Sequence, residues 1–567
     1  MKKKTTRLLA ILLCCVMIIG VAACGSKTDD NANSNTNTNT DSNANANTNT
    51  NTNTDSNADT NTNPNSNSNN VAENTDNMIN STPAPEGVVS ARDTLKVAGR
   101  GDAGSLLPNA MSPTLLMAAR QYCEPLWDYD HAGNLVYVLA ESVDGWDSDV
   151  LTIHLRQGVK FSNGSDFTAE DLVFSINFHK AYIPGQLREF NMERSRIIDD
   201  YTFELVLDPY GFAPQFGFAT QYIYDAETFN EEDFVMHPVG TGPYEVVEYV
   251  INSHIYMKAR DDYWGEKAKI ENLQYLIFNE DAQVTNAIQA GTVDIVPAIP
   301  AQDIEYAKTL PGYDVMMYAT NAGPNLTYNL NPVSIMNNYD ARMAVNYAFN
   351  REAVLNLVYF GYGSLLLGPV ADYCIDHEPR LEKLNPVYTE SPNMELAKEY
   401  AEKAGIIGKD IVVVTNGMPN YVTTAEILQS NMNDIGVNIV INNYDNASYT
   451  SVQQDPEQYD ILVTGSGSPS RLGSSILCNY IFWSPWRYEN GWPAYDEYYE
   501  LARKIMENPN SIERKEQYYE LSKMFAEYML WLGICNVESA MAINENLGGR
   551  ILWTNAGMRF NEWYWVS

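Results

Sequence analysis

The chain has 567 residues, and its 72 acidic against 36 basic side chains leave a formal net charge of −36. So acidic a body is a poor partner for nucleic acid or anionic lipid, which sets a nucleic-acid-binding role aside. Apolar residues make up 45% of the chain, and once the biased N-terminal segment is set apart about 475 residues remain, too many for one core and suited to two or three packed regions.

The N-terminus reads as a processing segment. Lys2, Lys3, Lys4 and Arg7 form a basic start, Leu8 to Gly20 is apolar, and Val21-Ala22-Ala23-Cys24 follows. The apolar run is short of the ~20 residues a spanning helix needs and ends in small residues before a cysteine. Residues 1–23 are therefore expected to be a signal peptide, with an uncleaved anchor as the alternative. Val21–Cys24 resembles the lipobox of bacterial lipoproteins, which implies lipidation at Cys24 and attachment to the outer face of the cell membrane.

From about Asp29 to Asn70 the chain is dominated by Asn, Thr and Ser. Such a tract has almost nothing to bury and cannot offset the entropy of ordering. Residues 24–91 are expected to form a tether, and a flexible coil of roughly 65 residues spans on the order of 40–50 Å. A low-complexity expansion of no selected length accounts for the tract equally well.

Farther along, Leu151-Thr152-Ile153-His154-Leu155-Arg156 alternates with period two, as a half-buried strand does. Thr168-Ala169-Glu170-Asp171 places a capping residue three positions ahead of an acid and predicts a helix through Leu172 to Phe178. Val239-Gly240-Thr241-Gly242-Pro243-Tyr244 predicts a tight turn between extended segments, with glycines supplying positive φ and the proline fixing the exit. Ile411 to Val414 is a buried-strand run, Val422 to Ile435 a helix stopped at Gly436, and Val437 to Ile441 a second strand. That is a βαβ unit with parallel pairing, so the fold class is α/β.

Several segments together carry a family resemblance. Tyr122-Cys123-Glu124-Pro125-Leu126, Leu155 to Phe161, Phe167 to Asp171, the Val239–Tyr244 turn and Asp262-Tyr263-Trp264-Gly265 come in order, followed by Gly291 to Ile295, Asp340 to Ala348 and Arg351-Glu352. In this order they resemble the peptide/nickel-type (family 5) solute-binding proteins of ABC importers. The resemblance implies a two-lobed periplasmic-binding-protein-like fold (type II, cluster C) with a hinge. Lobe I would take residues 92–320 plus 536–567, with an inserted subdomain at about 126–236, and lobe II residues 321–535. It further implies a monomer that binds a small peptide or other polar solute, needs no cofactor, performs no catalysis and meets permease and ATPase subunits. A surface receptor of the same fold that senses without importing is the competing class.

Chemistry-bearing motifs are sparse. No His-Glu-x-x-His, nucleophile elbow or phosphate-binding glycine loop occurs, and with six histidines no metal-ligand spacing stands out. Cys374, Asp376, His377 and Glu378 are the nearest approach to a metal set and read as a solvated loop. Cys123, Cys374, Cys478 and Cys535 are too scattered for a disulfide scaffold and read as buried thiols.

The segment Thr464 to Ser470 is expected to be a loop after the strand Tyr459 to Val463. Peptide-binding relatives carry there a tryptophan and an aspartate that pairs with the peptide ammonium, whereas this chain has Gly465-Ser466-Gly467-Ser468. Either another acid reaches the ligand, or the ligand lacks a free amine there. Trp483, Trp486, Tyr488 and Trp492 offer stacking surfaces for a peptide or an oligosaccharide, or pack in the core. Arg471 and Arg487 suit a ligand carboxylate, although surface or structural ion pairs are the commoner use of such residues. The candidate ligand contacts are Asn325, Thr327, Asn446, Tyr449, Gly465, Ser466, Gly467, Ser468, Arg471, Trp483 and Trp486.

Overall fold

A computed structural model describes residues 87–567 apart from 109–112, 130–134, 147, 183–186, 188, 209–220, 321, 372–373, 375–376, 378, 383, 468–472, 509–510, 551, 554–556 and 567. Cys24, the signal segment and the Asn/Thr-rich tract lie outside the described residues. Those described belong to one unit, Ser66–Ser567.

An eight-stranded sheet runs Tyr313–Ala319, Cys535–Asn544, Ile295–Val296, Thr94–Arg100, Asn272–Phe278, His254–Ala259 and Tyr244–Val250, with Gly363–Leu365 also pairing with Cys535–Asn544. A five-stranded sheet runs Asn438–Asn443, Asp410–Thr415, Ile461–Gly467, Ala322–Tyr328 and Trp531–Gly533. A four-stranded antiparallel sheet is built from Ala140–Asp144, Val150–Leu155, Thr202–Val206 and Arg196–Asp199. The α/β class is as the sequence predicts.

Each sheet has its own core. Leu95, Val97, Leu273 and Tyr275 pack beneath the eight-stranded sheet, and Leu151, Ile153, Phe203 and Leu205 beneath the four-stranded one. Leu326, Tyr328, Ile411, Val413, Ile461 and Val463 meet the helices Tyr339–Ala348 and Pro419–Asp434 over the five-stranded sheet. The chain leaves the eight-stranded sheet at Ala319, enters the five-stranded sheet at Ala322, and returns between Gly533 and Cys535. Short crossings at 319–322 and 533–535 thus link the sheets, and between them in sequence Gly363–Leu365 reaches back to pair with Cys535–Val537.

The local signals mostly translate. Val150–Leu155 is a strand with alternate residues buried. In the helix Ala169–Tyr182, the Thr168 hydroxyl accepts from the Glu170 amide at 3.3 Å while Asp171 accepts the Thr168 amide at 2.7 Å. This reciprocal pair satisfies donors the helix cannot. The βαβ unit is present, with Ile411 opposite Ile439 in a parallel pair and the helix Pro419–Asp434 between the two strands.

Two expectations are corrected. Gly240 and Gly242 are not among the positive-φ residues; they are required by space. A Cβ on Gly240 would lie 2.0 Å from the Tyr122 carbonyl oxygen, and one on Gly242 2.5 Å from that of Gln121. Second, Thr464 to Gly467 is strand, not loop, because these residues pair with Asn325 back to Ala322. Backbone pairing overrides the loop-like Gly/Ser composition there.

The family-like segments turn out to be mutually packed. Tyr263 and Trp264 donate to the two oxygens of buried Glu124 at 2.7 and 2.8 Å. Arg260 donates to the carbonyls of Gly240 and Gly242 at 3.2 and 3.1 Å, and to those of Lys160 and Phe161 at 3.1 Å each. Arg260 also pairs with Asp262 at 3.1 Å, so one buried guanidinium joins three of the motifs.

Candidate functional site

The carboxyl ends of parallel strands in an open α/β sheet are where such folds bind ligands. Here Asp410–Thr415 and Ile461–Gly467 run parallel and end on the same side. Ala322–Tyr328 pairs antiparallel with the second of these, setting Asn325 opposite Thr464 and Thr327 opposite Leu462. Because strand side chains alternate, Asn325, Thr327 and Thr464 share one face, and Leu326 and Tyr328 point into the core on the other.

On the polar face a directed chain of hydrogen bonds begins at Arg487, in the short 3₁₀ turn Pro485–Arg487. Its Nη1 donates to Tyr480 Oη at 3.1 Å and its Nε to Tyr459 Oη at 2.9 Å. Tyr480 donates to Thr327 Oγ1 at 2.5 Å, and Thr327 donates to Asn325 Oδ1 at 2.7 Å. Asn325 is 1% exposed, and its Nδ2 has no hydrogen-bond partner. Arg487 is 3% exposed and makes no ion pair with any described carboxylate. The rings of Tyr459, Tyr480 and Tyr488 surround its guanidinium at 5.7, 5.7 and 5.8 Å. Such cation–π contacts supply about 0.5–2 kcal/mol each, while burying an unpaired charge costs several kcal/mol.

The helix Asn446–Val452 lies against this face and brings Tyr449 near Thr464, Arg487, Tyr480 and Tyr421. Burial pushes the Tyr449 phenol pKa up, with Thr464 and Arg487 acting the other way. Gly465 is exposed, and a Cβ there would lie 2.6 Å from Tyr421 Oη, so the phenol occupies the space a side chain would need.

The structure therefore gathers Asn325, Thr327, Tyr449, Gly465, Ser466 and Gly467 at one end of the five-stranded sheet, Ser466 and Gly467 pairing with Gly323 and Ala322. Asn446 opens its helix and Trp483 ends the helix Gly473–Trp483, but their side chains lie outside the described residues, as do Ser468 and Arg471. Trp486 is tied down locally, its Nε1 donating to the Gln453 carbonyl at 3.1 Å and its own carbonyl accepting from Asn331 at 3.0 Å.

Three further expectations resolve here. Arg487 is neither at the surface nor in an ion pair with a described residue. Tyr488 and Trp492 are core residues, Trp492 packing on Tyr498 at 5.0 Å and Tyr528 at 5.4 Å, so neither offers a stacking face. Cys123, Cys374, Cys478 and Cys535 are buried thiols. His377 lies 3.6 Å from Glu382, and Asp376 and Glu378 are outside the described residues. Among the described residues no group of three His, Cys, Asp or Glu could hold a metal ion.

Tyr480 and Tyr459 are the contributors sequence reading missed. The one signal for this face was Asn325-x-Thr327, two polar residues at strand spacing between apolar ones.

The comparisons with known proteins fit this architecture. Residues 134–486 match the model of the bacterial extracellular solute-binding proteins, family 5 Middle. The dipeptide-binding protein of Escherichia coli (strain K12) is 26% identical over 376 residues, covering 58% of this chain and 68% of that protein. The oligopeptide-binding protein AppA from Bacillus subtilis, in complex with a nonapeptide, superposes with a TM-score of 0.71 at 17% identity, covering 86% of this chain and 100% of that one. NikA from Brucella suis, in complex with Fe(III)-EDTA, gives a TM-score of 0.73 at 18% identity over 83% of this chain and 99% of that one. The chain belongs to the bacterial extracellular solute-binding proteins of family 5.

Proposed function

We propose that the protein is an extracytoplasmic solute-binding lipoprotein of an ABC importer, capturing a peptide or peptide-like solute between two lobes and delivering it to a permease. Family membership over residues 134–486 carries this reading. Relatives named for a dipeptide and solved with a nonapeptide support peptide as the ligand class. It works as a monomer without cofactor or turnover, with permease and ATPase subunits as partners.

The proposed lobes are residues 92–320 with 536–567, and 321–535. Support comes from the crossings between sheets at 319–322 and 533–535, beside which Gly363–Leu365 of the second lobe also pairs with the eight-stranded sheet. At the crossings the Thr320 amide and hydroxyl both donate to the Val537 carbonyl, each at 2.9 Å. Two adjacent crossings make a hinge, and a ligand that touches both lobes favours the closed state by its differential affinity for it. Cys24 carries the lipid, and residues 24–91 tether the body to the membrane. Among the described residues no helix is long and apolar enough to cross a membrane.

The oligosaccharide alternative loses support, since Tyr488 and Trp492 are buried in the core. Thermal melting of the full chain against separate libraries of di- to pentapeptides and of short oligosaccharides tests the ligand class. A ligand that binds only the folded state raises the melting temperature. Peptides are expected to raise it, and a rise with sugars alone overturns the peptide reading. Mass spectrometry of the N-terminal peptide from membranes is expected to find acylated Cys24, and an intact 1–23 segment contradicts the anchor.

A further inference from the structure

Tyr362 belongs by sequence to the second of the proposed lobes, yet it is fastened to the first. Its phenol donates to Glu305 Oε1 at 2.8 Å, and Lys308, which donates to the same oxygen at 2.7 Å, lies 5.7 Å from the centre of its ring. Glu305 is in the helix Ile304–Ala307 and Lys308 directly follows it. The ring packs on the apolar cluster that holds Ile304, Ala307, Ala540 and Ala542, all of the first lobe. The Tyr362 carbonyl accepts from the Glu538 amide at 3.2 Å, and Gly363 and Ser364 then pair antiparallel with Val537 and Asn536. Asn536 Nδ2 donates to Ser364 Oγ at 2.9 Å. The pairing is close, for Gly363 has φ +137° and a Cβ there would lie 2.0 Å from the Asn536 carbonyl oxygen.

Both ends of this segment are rooted in the second lobe. The helix Arg351–Val358 precedes it, and from that helix buried Arg351 donates to the Leu366 carbonyl at 2.6 Å and to that of Tyr388 at 2.8 Å. Among the described residues, every hydrogen bond that passes between the proposed lobes is made by residues 362–365.

We infer that residues 362–365 are a strap that limits how far the two lobes open, with Tyr362 as its fastening on the first lobe. The inference rests on the two-lobe reading and adds a third, noncovalent tie to the crossings at 319–322 and 533–535. Hydrogen bonds and apolar contacts resist separation of the groups they join and not their approach. The strap therefore bears load when the lobes splay, and leaves closure to the ligand's differential affinity. The Glu305 side chain is 74% exposed, so its bond to the phenol is weak by itself, and ring packing and strand pairing supply the rest.

The test places spin labels on one cysteine in each lobe of the full chain, at Ile251→Cys and Ile407→Cys, both exposed, while Cys123, Cys374, Cys478 and Cys535 are buried. Pulsed electron resonance reads the distance between the labels, and the chain without the two substitutions reports any label on Cys24. The ligand-free chain is expected to give a narrow distance distribution, and Tyr362→Ala a broader one that reaches longer distances. Tyr362→Phe, which keeps the ring but loses the bond to Glu305, is expected to fall between them. A saturating library of di- to pentapeptides is expected to bring all three to one shorter distance. Folding is checked by melting, and if Tyr362→Ala fails to fold, Tyr362→Phe decides by the same criterion. A folded variant whose ligand-free distribution matches the wild type, or is shorter, overturns the strap whether or not peptides act. A library that shortens no distance overturns peptide capture between lobes, and the ligand-free comparison still decides the strap.

Discussion

The carbonyl oxygen of Tyr122 sits where a Cβ on Gly240 would be, 2.0 Å from the ideal position. The backbone of the Val239–Tyr244 segment thus lies directly on the end of the helix Pro113–Tyr122, and Gly242 donates its amide to the same carbonyl at 3.0 Å. Glycine is needed there for proximity and not for a left-handed conformation.

That distinction predicts unequal effects for two alanine substitutions. Gly240→Ala must displace backbone and is expected to cost about 3 kcal/mol or more. Gly158 has φ +76° and nothing within 4 Å of its Cβ position, so Gly158→Ala is expected to cost only about 1–2 kcal/mol for a left-handed alanine. Urea unfolding of both variants checks the order. Equal costs would contradict the close-approach account.

Glu124 is the acceptor on which Tyr263 and Trp264 both depend. Burial pushes its carboxyl pKa up, while nearby Arg559 and the bonds from Trp264 and Tyr263 pull it back. Glu124→Ala strands two donors in the interior and is expected to destabilise by on the order of 3 kcal/mol. Glu124→Gln keeps one acceptor and is expected to lose about half as much. Thermal melting reads both, and a larger loss in the glutamine variant would contradict the assignment.

His179 supplies the pH dependence. Burial lowers its pKa to about 4, and its Nε2 lies 2.9 Å from the Tyr222 carbonyl, a partner that acts the other way. In the unfolded chain the ring titrates at the ordinary value of 6.5. Between pH 6.5 and 4 the unfolded state therefore binds a proton that the folded state refuses. Stability from this group is full above pH 6.5 and falls as the medium is acidified, by on the order of 3 kcal/mol across the window. His179→Gln is expected to flatten the curve of urea midpoint against pH over that range. A variant with the wild-type slope would contradict it.

Local rules make much of the body legible in the sequence. The helix at Ala169 announced itself through Thr168 and Asp171 because both partners of a capping box lie within four residues. The βαβ unit was legible because its strands are apolar and its helix ends at Gly436, which has φ +80°. Long-range contacts were not. A glycine that relieves a clash looks the same in sequence as one that adopts positive φ, so Gly240 was misread. Thr464 to Gly467 has loop composition and became strand only through its pairing with Ala322 to Asn325. Tyr480 was missed because its partner Thr327 is 153 residues away, and no periodicity reports such a pair. Arg487 stands out as a charge and Tyr488 is its sequence neighbour, but its hydrogen-bond partners Tyr480 and Tyr459 lie 7 and 28 residues earlier.

Small-angle scattering of the full chain, with and without a saturating peptide library, tests solute capture between two lobes most directly. Closure about the crossings at 319–322 and 533–535 is expected to reduce the radius of gyration on binding, with the peptides recovered unchanged. Bound peptide with an unaltered radius of gyration, or peptide returned cleaved, would contradict the account.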